Sequence, residues 1–249
     1  MRQQLVIRRR FRSLCLKFTL PHESIQTWKS FFIHIATIVI GLLIAVGLEQ
    51  AVETIHWHIQ VRTARDVLRQ ELLGADGFYE FRVAVNECVA QRLSKLNDIV
   101  ESIAEHAKIE PVGDLSLHIG HLLTDDAWQS ERAAQTLVHF PAAERMRYST
   151  MYGQQLDIRN WVIAEGGVWA AIRVLQGNPE RLSTSDITLI RQNIQTARTL
   201  NFLIVVNAAQ QLSRASALGL PKADAQAEEV RETCAPLKRT TPSRPFTTY

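Results

Sequence analysis

The chain has 249 residues, 28 Lys/Arg against 25 Asp/Glu, a formal net charge of +3 and three cysteines. The charge is uneven: residues 1–30 hold seven Lys/Arg and one acid, Glu23, whereas the remainder holds 21 basic and 24 acidic residues. The basic balance therefore belongs to a short arm and not to a nucleic-acid-binding body, and cysteines without a Cys-x-x-Cys spacing exclude a dithiol redox motif.

Taken in chain order, the arm comes first. Arg2, Arg8, Arg9, Arg10, Arg12 and Lys17, with Lys29 at the edge of the apolar run, lie beside a hydrophobic stretch, where anionic lipid headgroups are the simplest partner for such cations. Leu5 to Leu20 alternates apolar and basic residues and is expected to lie along the inner leaflet.

Phe31 to Leu48 contains no formally charged residue across 18 positions, which as an α-helix reaches about 27 Å, close to the hydrocarbon thickness of a bilayer. The expectation is a transmembrane helix. Trp28 and Trp57 flank it as interfacial anchors, separated by about 43 Å if the helix is continuous. Cations crowd the N-terminal side, whereas Arg62 and Arg65 are the first to follow. The positive-inside rule then leaves the N-terminus in the cytoplasm and everything after about residue 50 outside. A cleaved signal peptide is the competing reading, with Ala45-Val46-Gly47 as a passable site. Against it stand a long N-terminal region and an apolar run beyond the usual 7–15 residues of a signal peptide. Either way the C-terminal part is exported, and no later stretch is long and apolar enough to bring the chain back: Asn160 to Leu175 carries Glu165 and Arg173.

The run His34 to His58, His-Ile-Ala-Thr-Ile-Val-Ile-Gly-Leu-Leu-Ile-Ala-Val-Gly-Leu-Glu-Gln-Ala-Val-Glu-Thr-Ile-His-Trp-His, resembles a group of uncharacterised bacterial inner-membrane proteins. These share a basic N-terminus, one Ile/Gly/Leu-rich span, an acidic and His-rich juxtamembrane helix, and an exported helical region. The resemblance is strongest over residues 28–75 and implies a bacterial inner-membrane and periplasmic setting, and no activity.

The external part reads as helix throughout. Apolar residues recur at helical spacing in Val85, Val89, Leu93, Leu96, Val100, Ile103 and Ala107, and again from Ile187 through Ile190, Ile194, Ala197, Ile204, Ala208, Leu212, Ala215 and Leu218. Gly74 and Gly77 are expected to interrupt or kink the first of these helices, Pro111 to Asp114 to end the second, and Gly177-Asn178-Pro179 to precede the last. Thr124 and Asp125 look like a helix cap, Pro141 marks a helix start, Ser183 with Asp186 resembles a capping box, and Gly219 with Pro221 closes the final helix. Beyond residue 222 there is little to bury, and residues 222–249 are expected to be a mobile tail.

Candidate chemistry is sparse. His118-Ile119-Gly120-His121 matches the first signature of class I aminoacyl-tRNA synthetases, but neither a Lys-Met-Ser-Lys-Ser partner nor an α/β pattern accompanies it, so the match is taken as chance. His118, His121 and Asp125 would share a face of an unbroken helix, yet Gly120 and the cap argue that the helix is broken, and no metal is expected. His56 and His58 point to opposite sides of a helix and do not chelate together. His34 sits near the cytoplasmic edge of the span, within reach of headgroups or water. Thr37, Gly41 and Ala45 fall on one face at four-residue spacing, where small side chains let a second helix approach, so a homodimer through the span is expected. Cys88 and Cys234, both outside, are available to pair with each other.

The expected architecture is all-α: a basic segment at 1–30, a transmembrane helix at 31–48 running into a long juxtamembrane helix, an antiparallel bundle-like periplasmic domain at 49–221, and the tail. No catalytic, cofactor or metal residues are expected and the chain does not read as an enzyme. Its partners are the lipid bilayer, a second copy and an envelope protein, with no nucleic acid. Two functions fit: a membrane-tethered interaction or scaffold protein, or a periplasmic ligand-sensing helical module acting through a partner subunit.

Overall fold

The computed structural model describes residues 28–105, 112–113, 115, 123–178, 181–225 and 227–237. Among them there is helix and no strand: α1 (Trp28–Ala84), α2 (Asn86–Ala104), α3 (Asp126–Ala133), α4 (Ala142–Ile172), α5 (Thr184–Ala217) and α6 (Ala227–Thr233), with 3-10 turns at Thr136–His139 and Arg173–Gln176. The chain divides into two compact units within α1, between Ile55 and His56.

The first unit contains the part of α1 that is long and apolar enough to cross a membrane, and none of that window is buried. From Phe31 to Gln50 every residue is exposed. Thr37 donates its hydroxyl to the Ile33 carbonyl at 2.9 Å and Thr54 does the same to Gln50 at 2.7 Å. Each thus satisfies its polar group on its own helix, as hydroxyls in apolar helices must.

The second unit is a bundle built on the rest of α1 with α2, α4 and α5. Its core forms three layers. Ala64, Leu68 and Leu72 of α1 pack with Tyr148, Met151 and Tyr152 of α4 and Ala215 of α5. Ala75, Phe78 and Tyr79 meet Ile158, Val162, Ile204 and Ala208. The apolar residues from Phe81 to Ile103 meet Trp169, Ile172 and Leu175 of α4 and Ile187 to Ala197 of α5. This register makes α5 antiparallel to both α1/α2 and α4, as short turns demand. It also makes α4 parallel to α1/α2, which short turns do not allow. The long connection after α2 carries the chain back: Val112 and Leu115 lie in the third layer, Leu123 in the second and Trp128 in the first.

Several local expectations resolve here. The spacing from Val85 to Ile103 buries as read, while Ala107 lies outside the described residues. Ser183 and Asp186 form a full capping box. Gly219 takes φ +69°, its N–H bonds Ser216 O at 2.9 Å and Leu220 N–H bonds Ala215 O at 3.1 Å, the paired bonds of a Schellman close.

Three expectations are corrected. Gly74 and Gly77 do not break α1, which runs through both. Helical glycine costs about 1 kcal/mol relative to Ala, and burial of Leu72, Ala75, Phe78 and Tyr79 around them outweighs it. The 222–249 tail is not left undocked throughout: α6 and its flanks place Ala225, Val230, Cys234 and Leu237 against the third layer. A disulfide from Cys88 to Cys234, Cα to Cα 5.1 Å, closes that contact. Finally, Asp125 occupies the N-cap of α3 but makes no capping bond with its side chain. Glu71 of α1 takes that role, accepting the Ala127 N–H at 3.1 Å and the Thr124 hydroxyl at 3.3 Å.

Candidate functional site

The most concentrated chemistry lies inside the bundle. Arg82 forms a two-pronged ion pair with Glu165 of α4, at 2.7 and 3.0 Å, with both side chains fully buried. Its remaining terminal nitrogen bond goes to Asn201 Oδ1 of α5 at 3.0 Å, and Asn201 in turn donates to Asn86 Oδ1 at 2.9 Å. Arg82, at the end of α1, meets both α4 and α5, and Asn86, at the start of α2, extends the network to Asn201 of α5. A guanidinium fork matches a carboxylate in only one relative height, and the cluster thereby fixes the register of three helices.

Further polar contacts follow along the bundle, from one turn before Arg82 back to Glu71. Tyr79 donates to Gln155 Oε1 at 3.2 Å, Gln155 donates to the Thr124 carbonyl, and Gln211 donates to Met151 O at 2.7 Å. Tyr152 donates to Glu71 Oε2 at 2.8 Å. Burial pushes the Tyr79 and Tyr152 phenols well above their usual range, reinforced for Tyr152 by its bond to the Glu71 carboxylate. Asp76 lies in this region, buried, with Oδ1 unpartnered. Burial first, and the Glu80 charge second, push its carboxyl up to about 7. Chemically these groups hold helices together and hold one proton that an exposed aspartate would release.

The residues singled out from sequence lie elsewhere. Thr37, Gly41 and Ala45 are exposed along one face of α1, and a Cβ added at Gly41 would meet nothing within 4 Å. Trp28 is exposed with its ring edge-on to Phe31 at 6.2 Å. Trp57 stacks on His139 of the 3-10 turn, ring centroids 3.7 Å apart, and meets His56 edge-on at 5.5 Å. His118 and His121 lie outside the described residues. Asp125 is held by Gln129 at 2.9 Å and by Arg159 at 2.8 Å, and these bonds lower its carboxyl below the usual range. Among the described residues no group of three or more His, Cys, Asp or Glu is placed to hold a metal ion.

Sequence reasoning missed the Arg82–Glu165–Asn201 cluster. The only trace was Glu165 inside an otherwise apolar stretch, read as an obstacle to a second span when it is the acidic partner of a buried cation. Compared with protein-family models, curated proteins and solved structures, the chain matches none of them.

Proposed function

We propose that the protein is a membrane-tethered helical scaffold of the bacterial envelope. Residues 31–48 hold it in the inner membrane, the N-terminus is cytoplasmic, and the bundle lies in the periplasm. The Cys88–Cys234 bond supports the exported side, because disulfides persist in oxidising compartments.

The observation that carries the scaffold reading is that α4 and α5 each leave a pair of large apolar side chains exposed on one side. Leu156 and Ile163 of α4 are 42% and 59% exposed, and Phe202 and Val206 of α5 are 64% and 38% exposed. Spacings of seven and four residues put each pair on one side of its helix. Burying a side chain of the Phe or Leu class stabilises by about 1.5–3 kcal/mol, so a partner surface gains from covering them.

A photo-crosslinking amino acid at Ile163 or Phe202, introduced into the full chain in living cells, tests both halves of the reading. The expected outcome is a discrete adduct with an envelope protein, or with a second copy, which the same probe at exposed Gln192 does not give. Adducts with cytoplasmic proteins would overturn the topology. A signal equal to that at Gln192 would overturn the scaffold.

A further inference from the structure

Residues 227–237 lie on the bundle without entering its apolar core. α6 has seven residues, about half the length at which a helix begins to hold itself in water, so its order comes from what it touches. Val230, Cys234 and Leu237, with Ala225 before them, are only partly buried against the third layer, whereas every buried apolar residue of that layer lies between Phe81 and Ala197.

Two further ties converge on α2. Cys88 bonds Cys234, and Arg92 donates to the Thr233 and Ala235 carbonyls at 2.7 and 2.9 Å. Cys88 and Arg92 stand four residues apart in α2, so both project from one face, and the carbonyls that Arg92 holds bracket Cys234. The chain before this segment is tied down separately. Arg69 donates to the Leu218 and Gly219 carbonyls at 3.2 and 2.9 Å, Leu220 is buried, and Lys222 pairs with Glu80 at 3.6 Å. Anything that frees residues 227–237 can therefore leave the end of α5 in place.

The covalent tie is the one that decides. A few partly buried side chains and two hydrogen bonds stand against the conformational freedom that every residue from 227 to 237 loses on docking. The disulfide offsets that loss by keeping the segment beside its site. It is also open to exchange: Cys88 and Cys234 are both half-buried and not enclosed. A guanidinium near a cysteine favours the thiolate, the form in which a sulfur leaves during exchange.

We infer that residues 227–237 form a redox-released strap, latched by Cys88–Cys234 and freed when a protein dithiol reduces that bond. A thiolate of the dithiol attacks Cys234 Sγ, and Cys88 leaves as a thiolate on the Arg92 face of α2 and takes a proton. The dithiol's second sulfur then closes its own disulfide and releases Cys234 as a thiol, so two electrons and two protons pass from the dithiol to the two cysteines. Without the bond the segment undocks, Arg92 gives up both carbonyls, and the third layer loses the cover of Val230 and Leu237. The inference does not depend on the reading of 31–48 as a span.

The test uses the full chain with Cys15→Ser in detergent and dithiothreitol as the dithiol, and reads thiol alkylation by mass and amide hydrogen exchange along the chain. Under native conditions dithiothreitol is expected to make both remaining cysteines alkylatable, with exchange protection lost over 227–237 and kept over 187–215. Cys88→Ser with Cys234→Ser, never exposed to the dithiol, should show the same pattern. Arg92→Gln should be reduced several-fold more slowly, because the leaving thiolate loses its cation, whereas removing a mere clamp would speed reduction. A bond reduced only after denaturant has opened the bundle overturns the strap. So does protection over 227–237 that survives reduction, since the bond is then not the latch. Protection lost over 187–215 as well makes the bond a staple of the whole fold and also overturns the strap. Faster reduction of Arg92→Gln overturns the part given to the guanidinium.

Discussion

Between Phe31 and Leu48, α1 carries apolar side chains on every side and buries none of them. Between Ala64 and Arg82 of the same helix, burial returns at 64, 68, 72, 75, 76, 78, 79, 81 and 82, while Asp66, Gln70 and Gly74 are exposed. The backbone is one uninterrupted helix in both regions, so its hydrogen bonds do not distinguish them. The difference lies in where the apolar atoms find neighbours. An all-round apolar surface needs an apolar solvent, and a one-sided stripe needs other helices.

The largest test of that contrast removes a polar group that only the bundle tolerates. Glu165→Ala leaves the Arg82 guanidinium buried without its counter-charge and is expected to cost up to about 5 kcal/mol in denaturant unfolding of the full chain in detergent. Replacing the pair together, Arg82→Met with Glu165→Leu, should restore stability to within about 1 kcal/mol of the parent or exceed it. If the single and double variants are equally unstable, the pair does not act as a unit.

A slightly smaller effect comes from Asp76. Its folded carboxyl titrates near pH 7, above its ordinary value of 3.8, so the folded state holds a proton that the unfolded chain releases. The stabilisation is complete below about pH 4 and is lost as pH rises through 7, amounting to about 4 kcal/mol across the window. Unfolding midpoints measured from pH 4 to 8 should fall for the parent and stay nearly level for Asp76→Asn.

The sharpest comparison uses one residue type twice. Leu68→Ala, in the first core layer and fully buried, should destabilise the bundle by about 3 kcal/mol. Leu43→Ala, exposed in the apolar run, should change bundle unfolding by less than about 0.5 kcal/mol. Equal losses would mean that the two regions do not differ as described.

The regular parts of this architecture were legible because they depend on neighbours in sequence. The stripe from Val85 to Ile103, the Ser183–Asp186 box and the Gly219 close each lie within one helix or its ends. What escaped depends on residues far apart: Arg82 meets Glu165 across 83 positions and Asn201 across 119. Gly74 and Gly77 misled for a related reason, since their local cost is visible in sequence and the burial that offsets it is not. The docked α6 segment was legible only in part: the pairing of Cys88 with Cys234 was open to the sequence, whereas Arg92, which donates to the Thr233 and Ala235 carbonyls at 2.7 and 2.9 Å, left no local sign.

The bond between Cys88 and Cys234 has a consequence in time as well as space. Its two sulfurs are separated by 146 residues, and at the pace of ribosomal synthesis, about 5–20 residues per second, Cys88 waits roughly 7–30 s before its partner exists. During that interval the only cysteine already made is Cys15, on the other side of the apolar run. The bond therefore cannot form before residue 234 has been made, and a chain truncated before that residue leaves the sulfur of Cys88 without its partner.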